Sequence, residues 1–561
     1  MNFKNKVIYQ IWLRSFKDSN GDGIGDIGGM IEKVDYIASL GVDYVWISPL
    51  YKSSNKDYGY DIDDYYSINP EFGSMEDFDL LLERFQEKNI GIIMDLVANH
   101  TSDQHEWFQS AVHDLNSPYR DFYFFKEGKN GKEPNNWISM FGGSAWQRDP
   151  LTENGYYLAT FTPNQCDLNW ENPEVRKEIY KIMHFWLKKG IAGFRLDVIN
   201  TIAKADGLPD KNPNKKGYQF AKELMINRPK SHEYIKEMHE EVLSKYDCIT
   251  IGEGMLVDQE ACRQYAGANT DELQMMITFD LHMMDCGPLG KFDFRKLYRW
   301  NVLKMKKILH SWQMDMQKHN YWLANCLSNH DQPRHISRWG NDQEYRVESA
   351  KAFAMLNLTL RGTPFIYQGE EIGMTNYKLE QDEWRDFEAI NIYQELQTMM
   401  HVPKFLAKKI VQKMSRDNAR TPMQWSSKLN AGFSSVQPWI KLNSNYQEIN
   451  VEADLKNEQS LIEFYRTIIQ LRKEHPALAE GSYKAILAKN NQVMGYYRES
   501  EEEKLLIIIN LSQSPAAFYL PIEKDENYKL LLKTDYGNFL TQEKMVFKPY
   551  EGRIYKITKK I

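Results

Sequence analysis

Eight short apolar, β-rich runs recur along this chain of 561 residues, most of them separated by stretches of helical periodicity. They span residues 7–12, 44–48, 91–97, 190–198, 248–252, 275–279, 322–327 and 364–367, and amphipathic stretches lie at 75–88, 173–189 and 232–245. Strands alternating with helices imply parallel βαβ units, and eight such strands predict a closed (β/α)8 TIM barrel. An open doubly wound sheet gives a similar alternation and is the competing architecture.

One interval breaks the rhythm. After the third run, residues 100–167 are aromatic and rich in Gly, Asn and Pro before helical periodicity returns. A compact domain rarely carries so long a plain loop, so this segment is read as a subdomain inserted beside the barrel mouth. From about residue 480, helices give way to β-rich runs at 492–498, 505–511 and 516–520. That shift suggests a separate β-sandwich-like domain. The expected organisation is a barrel over 1–100 and 168–479, an inserted subdomain over 101–167, and a C-terminal antiparallel β domain over 480–561.

Basic and acidic residues number 70 and 77, a net charge of −7. That balance argues against a chain built around nucleic acid or an anionic membrane. No window approaches the ~18 consecutive apolar residues of a membrane span. The N-terminus lacks the long uncharged apolar segment of a secretory signal. The five cysteines are odd in number with no short paired spacing, so neither a disulfide framework nor a zinc cluster is suggested. The expectation is a monomer in a reduced cytoplasmic setting.

Chemistry concentrates at the ends of the strand candidates, where a barrel places its active site. The third ends in Asp95-Leu96-Val97-Ala98-Asn99-His100, the fourth in Gly193-Phe194-Arg195-Leu196-Asp197-Val198, the fifth in Ile251-Gly252-Glu253, and the seventh in Asn329-His330-Asp331. A single carboxylate at such a place is most simply a helix cap or a surface acid. Carboxylates converging from strands four, five and seven, beside His100, His330 and Arg195, are better explained as a reactive set. Paired carboxylates without a serine or cysteine nucleophile motif point to glycoside hydrolysis: one attacks the anomeric carbon and the other protonates the leaving oxygen. Arg195 shares a strand face with Asp197 and could keep that carboxylate ionised and oriented.

These four segments resemble the conserved regions of the α-amylase superfamily (glycoside hydrolase family 13) of retaining α-glucoside hydrolases. The chain is most similar to its oligo-1,6-glucosidase group, which includes dextran glucosidase, trehalose-6-phosphate hydrolase and sucrose isomerase. Further support comes from Gln165-Cys166-Asp167-Leu168-Asn169-Trp170, from the stretch 362–371 and from the stretch 415–425. The likeness runs from residue 7 to about 479. It implies Asp197 as nucleophile, Glu253 as general acid/base, and Asp331 as a third carboxylate gripping sugar hydroxyls. It also implies that His100 and His330 bind hydroxyls of the sugar in subsite −1, and that Tyr60 stacks on the glucose. Asp57 and Arg416 would close the far side of that subsite as an ion pair and favour exo attack. Phe141, Phe161 and Arg420 are candidates for the rim or subsite +1. Val198, as a valine directly after the nucleophile, implies preference for α-1,6 bonds.

Asp18-Ser19-Asn20-Gly21-Asp22-Gly23-Ile24-Gly25-Asp26 places oxygen side chains at alternate positions among turn-forming glycines, which suits a hard cation. Position twelve counted from Asp18 is Gly29, so this is no EF-hand. The resemblance implies structural calcium, with magnesium as the other hard cation, held by Asp18, Asn20, Asp22, Asp26 and the Ile24 carbonyl. The chain departs from the group at Cys166, Gly254 and Ser328, near the pocket. Residues 279–285 also lack the arginine-rich patch of the sucrose isomerases and the basic residue of some dextran and trehalose-6-phosphate enzymes. The expected activity is retaining exo-hydrolysis of short α-1,6-linked oligosaccharides. Trehalose-6-phosphate hydrolysis or sucrose-active transfer is the alternative within the family, and a non-catalytic binding protein on the same fold is the alternative outside it.

Overall fold

The computed structural model describes residues 3–288, 290–293, 299–520, 525–534 and 544–560. Eight parallel strands close into a barrel: β1 (Ile8–Ile11), β2 (Tyr44–Ile47), β3 (Gly91–Val97), β4 (Gly193–Asp197), β5 (Ile249–Glu253), β6 (Met275–Ile277), β7 (Leu323–Asn325) and β8 (Thr363–Tyr367). Each neighbours its successor, and β8 pairs with β1 to complete the ring. The doubly wound alternative is thereby excluded. Each sequence run contains or overlaps its strand, and the differences lie at the ends. The helix Pro173–Lys189, capped by Asn172 and opened by Pro173, ends at Gly190 with φ 111°, so β4 begins three residues later than the apolar run. Gly193 is needed at that start: its φ is +153°, and a Cβ there would meet the Ile249 carbonyl oxygen at 2.0 Å.

Between β3 and that helix, Phe125–Glu127, Gly155–Leu158 and Trp146–Arg148 form a small antiparallel sheet, while Gln165–Asp167 pairs with His100–Ser102. This insertion does not close its own core. Trp137, Trp146, Tyr156 and Leu158 pack against Leu208, Ala221, Met225 and Ile226 from the connection after β4. Two helices that the sequence reading passed over, Phe387–Thr398 and Lys404–Met414, follow β8 and share a second core with Leu379, Trp384 and Ile440.

The C-terminal domain is an antiparallel five-stranded sheet with a separate two-stranded sheet beside it. Arg498, fully buried on that sheet, fastens it to the barrel by donating to the backbone carbonyls of Thr359 and Leu478. Among the described residues, no helix is long and apolar enough to cross a membrane.

Candidate active site

The C-terminal ends of the strands open into a cavity of about 330 Å³ lined by Asp197, Glu253 and Asp331 together with Asp57, Tyr60, His100, Phe141, Phe161, Val198 and Arg416. Alternation along β4 turns Arg195 and Asp197 to the same face. In register, Arg195 lies opposite Asp95 of β3 and Ile251 of β5. The Arg195 guanidinium accordingly reaches three carboxylates: Asp95 at 2.5 Å, Asp197 at 2.7 Å and Glu253 at 2.5 Å. A buried cation facing three acids holds them in place and offsets the cost of burying their charge. Burial, with the Glu253 charge adding to it, still pushes the Asp197 carboxyl well up, against the pull of Arg195. Two carboxylates held side by side by one cation are the equipment that a nucleophile and an acid/base require.

Val198, immediately after Asp197, is not part of the strand. It adopts φ 36°, ψ 39°, a left-handed conformation that β-branched residues rarely take. There its N–H donates to Glu253 Oε2 at 3.2 Å, so the turn that ends β4 also orients the acid from β5.

Asp331 arrives from the loop after β7, its N–H tied to the Asn329 side chain at 2.9 Å. Burial raises its pKa, but His330, Arg416 and Arg420 outweigh that and hold the carboxyl well below the usual range. Asp331 thus stays ionised. His100 is held 3.1 Å from the Tyr60 carbonyl oxygen and from the Gln165 amide. Burial pushes its pKa down to about 4 despite Asp167, so the ring is neutral near pH 7. Phe161 packs on the His100 ring and Phe141 lies next to Phe161.

Arg416 lines the same cavity. Its shortest bond is to Asp386, at 2.8 Å, while Asp57 and Asp331 each stand 3.5 Å away. The Asp57–Arg416 contact is therefore the weaker part of a larger cluster, and burial pushes the Asp57 carboxyl up despite Arg416.

His330, read from the sequence as binding a sugar hydroxyl, and Arg420, read as a candidate for the rim, stand behind the cavity wall, as does Arg195, read as orienting Asp197. Arg195 and His330 have no exposed surface and Arg420 is 1% exposed, and none of the three lines the cavity. His330 lies near-parallel to Trp12 (5.1 Å, 13°) and to Tyr60 (5.5 Å, 4°), with both ring nitrogens taken by Gln10 and Tyr60. It braces Tyr60, whose ring does line the cavity. Arg420 lies over Trp12 and pairs with Asp331 at 3.0 Å, so it is no part of the rim. Spacing shows which residues are near a strand end but not which layer they occupy.

Other site residues were missed or left without a role. Gln165 lay in a quoted motif, and its amide lies within 3.3 Å of Asp57, His100 and the Tyr60 carbonyl. Asp386 carries no motif and sits 30 residues before its partner Arg416. Phe220, Met255, Leu256, Phe279, Met283 and Lys291 complete the outer wall.

In the Asp18–Asp26 loop the side-chain oxygens are engaged mostly by the loop itself, with Ser434 also donating to Asp18. Asp18 accepts from the Gly21 and Gly23 amides, Asn20 from Asp22, Asp22 from Ile24, and Asp26 from Ser19, Asn20 and Gly29. Among the described residues, no three His, Cys, Asp or Glu side chains gather at metal-ligand spacing.

Residues 10–481 match the α-amylase catalytic domain model, and residues 493–554 match that of the α-amylase SusG C-terminal domain. The oligo-1,6-glucosidase of Parageobacillus thermoglucosidasius is 46% identical over 560 residues, covering 99% of each chain. The trehalose-6-phosphate hydrolase of Bacillus subtilis (strain 168) is 42% identical, over 99% of this chain and 98% of its own. A crystal structure of the Bacillus licheniformis trehalose-6-phosphate hydrolase superposes with a TM-score of 0.93 at 42% identity, over the whole of both chains.

Proposed function

The chain belongs to the α-amylase family and is a glycoside hydrolase, and on that premise we propose that it is a retaining, exo-acting α-glucosidase releasing glucose from the non-reducing ends of short α-1,6-linked oligosaccharides. One observation carries the reading: a single guanidinium holds Asp197 and Glu253 together in a cavity also lined by Tyr60, His100, Asp57 and Arg416. Asp197 attacks the anomeric carbon as Glu253 gives its proton to the leaving oxygen. Glu253 then takes a proton from water as that water displaces Asp197, so configuration is retained. Asp331, ionised by its cationic neighbours, grips sugar hydroxyls and faces the positive charge that develops on the ring. Neutral His100 offers a hydroxyl partner without adding charge.

Preference for α-1,6 bonds is supported by the relatives named oligo-1,6-glucosidase and by Val198 at the wall beside Glu253. The trehalose-6-phosphate reading needs a free cationic cluster on the aglycone side. Among the described residues, Lys291 is instead paired with Glu388, and Arg420 is buried behind Asp331. Isomaltose should be turned over at least tenfold more efficiently than trehalose-6-phosphate, and with methyl α-glucoside, which has no free reducing end, NMR should show α-glucose as the first product. Initial β-glucose, or a preference for the phosphorylated disaccharide, would sink the reading.

We also carry the loop of Asp18, Asn20, Asp22, Ile24 and Asp26 as a structural cation site, supported by five oxygen donors within nine residues. Calcium bound there would stiffen the turn and take no part in the reaction. If so, calcium added to metal-stripped protein raises the melting temperature and Asp22→Ala removes the response. An unchanged melting temperature marks the loop as a self-satisfied polar turn.

A further inference from the structure

The helices Phe387–Thr398 and Lys404–Met414 form a hairpin joined by residues 399–403. Its inward face is settled: Val402, Ala407, Val411 and Met414 are buried in the core that the two helices share. Helical residues four apart lie on one face, so Phe405, Lys409 and Lys413 run along the side away from that core. The turn of the hairpin projects apolar side chains into solvent. Phe405 is 77% exposed and Met399 74%, the most exposed large apolar residues among those described, and Met400 and Leu406 beside them are 46% and 37% exposed. Single residues of this kind are ordinary on a surface, but four within one turn form a patch that gains free energy when covered.

The surrounding charge identifies the cover. The chain has a net charge of −7, yet residues 396–414 hold four lysines and no Asp or Glu. Lys408 pairs with Glu380, while among the described residues no acid pairs with Lys404, Lys409 or Lys413. A second copy of the same tip would bring these cations face to face, which disfavours symmetric self-pairing. A rigid partner would need a groove shaped to side chains this prominent, whereas a lipid bilayer closes around an apolar tip of any shape. Flexible methionines suit such a fluid surface, and lysine stems can lie along it while their ammonium groups reach the headgroups.

We propose that this hairpin tip is an attachment site for membranes bearing anionic phospholipids. Met399, Met400, Phe405 and Leu406 enter the boundary between headgroups and acyl chains, and Lys404, Lys409 and Lys413 face the lipid phosphates. Attachment is peripheral and reversible, because only a few side chains insert. Glu388, which lines the catalytic cavity, begins the same helix about 16 Å from the tip by helical rise. Attachment therefore holds the active site close to the membrane surface. It uses no group of the cavity and stands apart from the glucosidase reading.

The test is flotation of the full chain with phosphatidylcholine vesicles, with or without about one-third phosphatidylglycerol. Anionic vesicles should bind the protein roughly tenfold or more better than neutral ones, because each lysine near a charged surface strengthens attachment about fivefold. Raising salt from about 50 to about 300 mM should remove most of that gain. Lys404→Glu/Lys409→Glu should reduce binding to the neutral-vesicle level. Met399→Ser/Phe405→Ser should weaken it roughly tenfold at unchanged charge, by removing the apolar contact. Both double variants should keep the parent's circular dichroism, since all four side chains are exposed. No flotation with anionic vesicles overturns the proposal, as does flotation that neither double variant weakens. A lipid-free dimer that Met399→Ser/Phe405→Ser dissociates assigns the tip to a second copy of the chain and overturns it too.

Discussion

Asp197→Ala is expected to lower turnover of isomaltose by roughly 10⁴-fold or more, the scale of losing a nucleophile, with the fold unchanged by circular dichroism. The reason is geometric. Asp197 is positioned against the sugar by Arg195, and the neighbouring acid Glu253 is committed to the leaving oxygen. Azide separates the two roles. With Asp197→Ala and an activated α-glucosyl donor, azide enters from the vacated face and gives the β-glucosyl azide. With Glu253→Ala, the covalent intermediate still forms from a donor that needs no protonation, and azide then gives the α-glucosyl azide. Exchanged anomers would mean exchanged roles. Near-normal turnover in either variant would remove that residue from the reaction.

The second large effect lies outside the cavity. Lys204 is 3% exposed, and its ammonium pairs with Asp167 at 2.8 Å while also donating to Asn99 Oδ1 and the Thr201 carbonyl. Asp167 belongs to the strand that joins the inserted subdomain to His100–Ser102, and Lys204 to the connection after β4. Lys204→Met would leave a fully buried carboxylate without its cation, a change that costs about 3–5 kcal/mol. The temperature of half-inactivation should fall by several degrees, the more suitable measure for a multidomain chain. The double variant Lys204→Met/Asp167→Asn should recover much of the loss, because the uncompensated charge is gone. A single variant as stable as the parent, or a double variant worse than the single, would show that the pair does not hold the insertion to the barrel.

Legibility differed by layer. Barrel strands could be read because each is a short apolar run bounded by turn-forming residues, and β4 was overextended at its start because the Gly190 cap adjoins it and at its end because Val198 turns into a left-handed conformation. Asp197, Glu253 and Asp331 stood out as acids at apolar strand ends, where an unpaired charge is expensive. Asp95 was visible in the same way, yet its register partnership with Arg195 was not. Asp386 gave no local signal, because its importance comes from reaching Arg416 across 30 residues. The helices Phe387–Thr398 and Lys404–Met414 lay in the sequence without adjoining a barrel strand, so the alternation did not draw attention to them.

The amino-acid order alone indicated the eight alternating strands, the three acids at their ends and the family likeness, because strand period, turn chemistry and contiguous motifs are local properties. Closure of the strands into a barrel rather than an open sheet was decided by the pairing of β8 with β1. Folding decided which side chains face the sugar and which stand behind them. Thus His330 braces Tyr60, Arg420 supports Asp331, and Val198 turns its amide toward Glu253 from a left-handed backbone. Depth, register and charge balance at a site come from segments far apart in the chain, and they exist only once those segments are packed together.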